Sequence, residues 1–276
     1  MAGTLFLCAT PIGNLKDISL RALDVLKTVP LIAAEDTRHT KKLLNYFDIK
    51  TPLTSYHQHN EKSKSLDLIS HLKSGKDLAL VSDAGLPGIS DPGEILVQRA
   101  VEEEITVDVI PGPTAFVSGL VLSGLPSTPL YFGGFLPSAS KARREALRKT
   151  KEIFATQAFY EAPHRLERFL ADVVAVRGNV DVVIARELTK LHQEIIRGKV
   201  SEVLDRLARV PARGELVVFI APPSKEIPNE PVDWVREVNK LIEKGIDKKE
   251  AIKTLAEKNK IPKREIYNYL VEIGYK

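Results

Sequence analysis

The chain has 276 residues, 43% hydrophobic and 28% charged, and its forty Lys and Arg against thirty-six Asp and Glu leave a formal net charge of +4. That length and apolar content exclude a disordered or fibrous chain and allow one large or two modest folded domains; the charge is too mild to demand a polyanionic partner, though a clustered patch could still meet one. The single cysteine, Cys8, excludes an internal disulfide and points to a reducing compartment. With no cationic start followed by a long apolar segment and no apolar run of membrane length, a cytoplasmic protein without a membrane span is expected.

In chain order, Thr4 to Ala9 reads as a strand, Ser19 to Val29 as a helix, Leu31 to Ala34 as a short strand and Thr37 to Phe47 as a helix. Cys8 lies in the apolar run of the first strand and reads as a small core residue. Leu78 to Val81 is an apolar run that stops in the loop Val81 to Gly93, which repeats Ser-Asp-x-Gly at an interval of eight and leads into an amphipathic helix. Ile105 to Ile110 is a strand ending in Pro111-Gly112-Pro113, and a helix runs from Thr114 to about Ser123. Gly124 to Pro129 reads as an interdomain link.

Beyond it the pattern restarts. Strands are expected at Tyr131 to Leu136, Thr156 to Glu161, Val180 to Ala185 and Gly214 to Ala221, with helices at His164 to Val176 and Lys199 to Val210. Between Ser138 and Lys151 stand six basic residues (Lys141, Arg143, Arg144, Arg148, Lys149 and Lys151) and one acid, Glu145; a solvated helix face and a phosphate-contacting patch both fit. The prolines of Pro222 to Pro231 mark a linker, followed by three helices at Trp234 to Lys244, Asp247 to Asn259 and Lys263 to Ile273, the last two joined in helix-turn-helix fashion. The chain thus divides into 1–124, an α/β domain; 125–224, a second α/β domain; and 230–276, a helical extension that serves as a packing appendage or as an RNA reader.

Polar groups recur where strands end. Glu35-Asp36-Thr37-Arg38 offers two carboxylates and a guanidinium, suited to a helix N-cap or to deprotonating a hydroxyl beside a clamped phosphate. Glu161-Ala162-Pro163-His164-Arg165 and Arg186-Glu187-Leu188-Thr189-Lys190 repeat the arrangement in the second half, which argues for one shared cleft. His57-Gln58-His59 lacks further ligands at metal-binding spacing, so no metal is expected. Walker, nucleophile-elbow, zincin and Gly-x-Gly-x-x-Gly patterns are absent, which disfavours the commonest nucleotide, hydrolase, zinc and nicotinamide chemistries.

Together, Thr10-Pro11-Ile12-Gly13-Asn14-Leu15, Ala34 to Arg38, His57 to Glu61, the Val81 to Gly93 loop, Pro111-Gly112-Pro113, Phe132 to Pro137, Tyr160 to Arg165 and Arg186 to Lys190 closely resemble the bacterial ribosomal RNA small-subunit methyltransferase I family, of the tetrapyrrole-methylase-like superfamily. The resemblance runs from about residue 3 to about 221. It implies two α/β/α domains of the tetrapyrrole methylase type with S-adenosylmethionine in the cleft between them, a homodimer, and methyl transfer to the ribose 2′-oxygen of a cytidine in the decoding region of 16S rRNA in the 30S subunit.

It further implies a cofactor site of Pro11, Ser82, Asp83, Ala84 and Gly85, with Thr114, Ala115, Tyr160, Glu161, Gly214 and Glu215. Asp36 and Glu35 are the leading candidates for the base, with Arg38 on the adjacent phosphate; His57, Glu161 and Lys190 are rivals for that role. Arg38, His57, Arg143, Arg144, Arg148 and Lys190 form the expected RNA contacts. Within the loop, the second Ser-Asp-x-Gly, Ser90 to Gly93, is expected mainly to shape the turn and cap a helix. A small-molecule methylase of tetrapyrrole type and an inactive RNA-binding module remain alternatives.

Overall fold

The computed structural model describes residues 1–223, 233–259 and 261–275, and the chain divides into two units, Met1–Pro223 and Ser224–Lys276. In the first unit, β1 (Leu5–Cys8), β2 (Ile32–Ala34), β3 (Leu53–Ser55), β4 (Leu78–Val81) and β5 (Val107–Ile110) form an all-parallel sheet in the order β3-β2-β4-β1-β5. Parallel strands covered on both faces need apolar residues at successive positions. In β4, Ala79 and Val81 pack with Ala22 and Leu26 of α1 (Leu20–Thr28) and with Leu43 and Leu44 of α2 (Thr37–Tyr46). Leu78 and Leu80 point the opposite way, towards Leu68 and Leu72 of α3 (Glu61–Lys73) and Leu96 and Ala100 of α4 (Glu94–Glu102). Cys8 is fully buried in the first of these clusters, and burial pushes its thiol up to about 12, which makes it a packing residue.

After α5 (Ala115–Ser123) comes the second sheet, of β6 (Leu130–Phe135), β7 (Thr156–Glu161), β8 (Asp181–Arg186), β9 (Glu194–Lys199) and β10 (Leu216–Ile220), in the order β6-β7-β10-β8-β9. Only β6 and β7 run parallel in it. One face packs on α6 (Ser140–Lys149), α7 (Leu166–Arg177) and α8 (Val200–Arg209). The other face receives α5, which reaches past the first sheet to pack on β8 and β10. Gly119 permits that approach: a Cβ there would lie 2.9 Å from the Phe219 ring.

The described part of the second unit holds α9 (Trp234–Ile242), α10 (Lys248–Asn259) and α11 (Lys263–Glu272) around Val238, Ile252, Leu255, Ile266 and Leu270. The expected linker prolines Pro228 and Pro231, and Lys260 in the turn between α10 and α11, lie outside the described residues.

One sequence expectation is corrected by the packing. Arg143 stands in the basic run expected to meet RNA, yet it is 2% exposed. Its guanidinium is held by Asp172 of α7, at 2.8 Å from Nε and 2.6 Å from Nη2, and by the carbonyls of Pro137 and Ser138. Arg144 and Ser140 bind the other Asp172 oxygen. Burial pushes the Asp172 carboxyl up, but hydrogen bonds from Arg144, Ser140 and Arg143 outweigh it and hold it below its ordinary range. A buried charge left without its partner is strongly destabilising. Asp172→Ala is expected to lower stability by about 3–5 kcal/mol, read as a reduced urea midpoint; a loss below about 1 kcal/mol would mean that the pair behaves as an exposed one.

Candidate functional site

The carboxyl ends of β1, β2, β4 and β5 converge, which is where open parallel sheets bind ligands. The loop after β4 is tied to the loop after β1: Thr10 and Gly85 exchange backbone hydrogen bonds of 2.8 and 3.1 Å, and the Thr10 hydroxyl donates to the Ser82 carbonyl. Gly85 adopts φ +84, a left-handed conformation that favours glycine. Ser82 is buried, with its hydroxyl 3.4 Å from the carbonyls of Ala84 and Gly85.

This bracing shapes a cavity of about 410 Å3 within the first unit, inside the range of about 300–1,000 Å3 usual for cofactor sites. The structure brings Glu35, Asp83, Ala84, Gly85, Thr114, Ala115, Tyr160, Glu161, Gly214 and Glu215 to its walls, ten of the residues singled out from sequence. Pro11 and Ser82 are not among the lining residues, which include Ile12. Leu86, Ile89, Phe135 and Leu188 add apolar wall that motif reading missed.

Asp91 also lines the cavity, a site role beyond the mainly structural one expected of the second Ser-Asp-x-Gly. The N-cap of α4 is Gly93, the last residue of that repeat, and no side chain caps the helix there. Burial, followed by repulsion from Glu35 and Asp83, pushes the Asp91 carboxyl up to about 7. The signal was present in the sequence as the repeat itself.

Glu35 and Asp36 diverge although adjacent. The Glu35 carboxyl is raised by burial and by repulsion from Asp83, with the Asp83 N–H and His57 opposing. Asp36 points out of the cavity: it caps α2 by accepting from the Arg38 N–H at 2.8 Å, and it pairs bidentately with the Arg38 guanidinium at 3.1 and 2.7 Å. Those bonds hold its carboxyl far below the usual range. The Asp36 N–H donates to Asp83 Oδ1 at 3.1 Å, coupling the ends of β2 and β4.

Glu161 and Tyr160, from the end of β7, form the opposite wall. Glu161 Oε1 accepts from the Ala162 N–H and lies 3.1 Å from Arg165, while Oε2 is buried without a partner among the described residues. Burial and then Asp91 push the Tyr160 hydroxyl up to about 12. Beside Glu215, Lys190 pairs with Glu187 and Glu215 at 2.9 and 3.2 Å. Its loop carries Glu187 and Thr189 at φ 50 and 63, costly conformations that concentrate at functional sites. Gly13 of the first loop packs beneath it, since a Cβ there would lie 2.4 Å from Lys190 Cγ.

The residues expected to meet RNA are scattered. Arg38 is 88% exposed and His57 Nδ1 is buried without a partner among the described residues. Arg144 is half-exposed and tied to Asp172, while Arg148 is exposed on α6.

Residues 4–204 match the family Tetrapyrrole (Corrin/Porphyrin) Methylases. The chain is 48% identical over 271 residues to ribosomal RNA small subunit methyltransferase I of Halalkalibacterium halodurans, covering 96% of this chain and 94% of that protein. It is 43% identical to that of Bacillus subtilis, over 96% and 93%. Among solved structures it is similar to diphthine synthase, with a TM-score of 0.63 at 13% identity over 79% and 90% of the two chains. It is also similar to uroporphyrin-III C-methyl transferase from Thermus thermophilus complexed with S-adenyl homocysteine, with a TM-score of 0.56 at 17% identity over 79% and 97%. The chain belongs to the tetrapyrrole (corrin/porphyrin) methylases and, within them, to the ribosomal RNA small subunit methyltransferase I family.

Proposed function

We propose that this protein uses S-adenosylmethionine to methylate the ribose 2′-oxygen of a cytidine in the decoding region of 16S rRNA. The observation that carries the reading is the cavity at the strand ends of a chain nearly half identical to a ribosomal RNA methyltransferase over almost its whole length. Its walls suit the cofactor. Glu35, Asp83 and Asp91 favour a positively charged sulfonium, the apolar side chains of Ile12, Leu188 and Val217 suit a purine, and the unpartnered Glu161 Oε2 offers an acceptor for an amine or hydroxyl. When bound, S-adenosylmethionine supplies an electrophilic methyl group. Residues 1–124 and 125–224 act as the two lobes that provide the walls.

The chain's own part is to hold the ribose in line and take its proton. Glu35 is the base we favour, because it lines the cavity and its raised carboxyl is a better proton acceptor than one at the ordinary carboxylate value. Asp36, turned away and held ionised by Arg38, positions that guanidinium for the neighbouring phosphate. His57, whose charge acts on Glu35, and Lys190, paired with the cavity residue Glu215, are the further RNA contacts in this reading. The exposed basic residues of α6, Lys141, Arg148 and Lys149, favour an RNA over a small tetrapyrrole as substrate. The protein works as a homodimer in the cytoplasm, and Val117 and Val121, exposed one turn apart on α5, suit the contact with a second copy.

The reading is tested by mapping ribose methylation after incubating unmethylated 30S subunits with the protein and cofactor; absence of a 2′-O-methyl mark would overturn it. A base must be ionised, so the single-turnover rate rises as pH passes upward through the raised Glu35 range. Glu35→Gln is expected to cost about 100-fold or more and to flatten that rise, whereas Asp36→Asn retains the pH dependence. Charge reversal at both Lys141 and Arg148 should weaken binding to 30S subunits and reduce the log–log salt slope by about 1.5; an unchanged slope would make α6 a solvated face. Val121→Lys should convert dimer to monomer by sedimentation equilibrium, and an unaltered mass would remove α5 from the contact.

A further inference from the structure

We infer that Phe135 is the platform on which the base of the acceptor nucleotide stacks while its ribose faces the cavity. The inference rests on the proposed RNA-methylating role and adds the residue that selects a splayed-out nucleotide.

Phe135 lines the cavity and yet is 58% exposed, so it stands at the mouth. It is the outer end of an aromatic series. The rings of Phe116 and Phe132 stack at 4.2 Å, Phe132 meets Tyr160 edge-on at 5.2 Å, and Tyr160 meets Phe135 at 5.4 Å. Among the described residues, no ring other than Tyr160 contacts Phe135. An exposed phenyl ring loses hydrophobic free energy unless something covers it.

The ring is also held in place. Pairing of β6 with β7 shifts register between Phe132 and Phe135, which sets Phe135 opposite Tyr160. Gly134 takes φ +56 at that irregularity. On the other side, the Leu136 carbonyl accepts from Arg165 at 2.8 Å, and the carbonyls of Pro137 and Ser138 accept from the buried Arg143 at 3.3 and 2.9 Å. A ring fixed before binding loses little entropy when a base stacks on it.

Geometry and charge both favour a nucleobase as occupant. A ribose oxygen can enter a cavity of this kind only if its nucleotide leaves the helical stack, and an exposed aromatic ring replaces the lost stacking. The segment after Phe135 leads within five residues into the basic helix α6 at Ser140, whose exposed Lys141, Arg148 and Lys149 suit phosphates further along the same RNA. Phe135 at the mouth and Glu35 within line the same cavity, so a base on the ring leaves its ribose facing inward.

The test compares wild type, Phe135→Ala and Phe135→Trp in single-turnover methylation of unmethylated 30S subunits, with cofactor affinity measured by calorimetry and mass by sedimentation. Base–aromatic stacking corresponds to about a tenfold to hundredfold effect. We expect Phe135→Ala to lose about that much in kcat/KM with cofactor affinity and mass unchanged, and Phe135→Trp to stay within about threefold of wild type. Equal activity of the alanine variant overturns the proposal, as does a change in mass, which would make the ring part of a contact between copies. If wild type itself leaves the subunits unmethylated, the RNA-methylating role fails instead, so the two failures are distinguishable.

Discussion

The like charges gathered at one point of the fold are the constraint around which the rest is arranged. Glu35, at the end of β2, and Asp83 and Asp91, in the loop after β4, share one cavity, and no lysine or arginine is among the described residues that line it. Carboxylates so placed repel, and the protein relieves them in three ways. Asp91 retains its proton to about pH 7, Asp83 accepts the Asp36 N–H, and Glu35 lies 3.5 Å from the Asp83 N–H. For the carboxyl of Asp91 the sign follows directly. Its proton is held more tightly in the folded state than in the unfolded one, so its contribution to stability is greatest below about pH 4 and is lost as pH rises to about 7. A cation in the cavity would favour the ionised form and offset that loss.

Two sheets of different character make this possible. The parallel sheet delivers backbone loops and carboxylates from its strand ends, whereas the mixed sheet delivers Tyr160, Glu161 and the apolar wall of Ala185 and Val217. Helix α5 joins them mechanically, leaving the first sheet at Pro111–Pro113 and lying against the second where Gly119 meets Phe219. Lys190 and Thr189 tie the second sheet back to the first loop, with Thr189 Oγ1 accepting the Asn14 N–H at 3.0 Å. The cavity therefore has walls from both halves that are connected at two places.

Most strands and helices were legible because an apolar strand ending in Asp, Gly or Pro is a local pattern. What escaped included the helix Glu61–Lys73, whose interspersed Lys and Ser obscure its apolar stripe, along with features that are short or non-local. Leu53–Ser55 has too few residues to show a period, and the edge strand Glu194–Lys199, with its Glu, Arg and Lys, lacks an apolar run. Asp91 was taken for a turn residue because Asp and Gly serve turns everywhere, and only the folded loop turns its carboxyl inward. Arg143 sat in a charge run whose meaning depended on Asp172, twenty-nine positions later. The divergence of Glu35 and Asp36 was equally hidden, since it comes from which carboxylate faces Asp83 and which faces Arg38.

The strand order of the parallel sheet also has a consequence during synthesis. β1 lies between β4 and β5, with Leu5 opposite both Leu78 and Val107. At an elongation rate of about 5–20 residues per second, the ribosome needs on the order of 5–20 s after making β1 before both neighbours exist. Throughout that interval Leu5, Leu7 and Cys8, all destined for burial, form an unpaired apolar strand. The core of the first sheet is thus closed only after β5 has been made, and β1 must stay free of other partners until then.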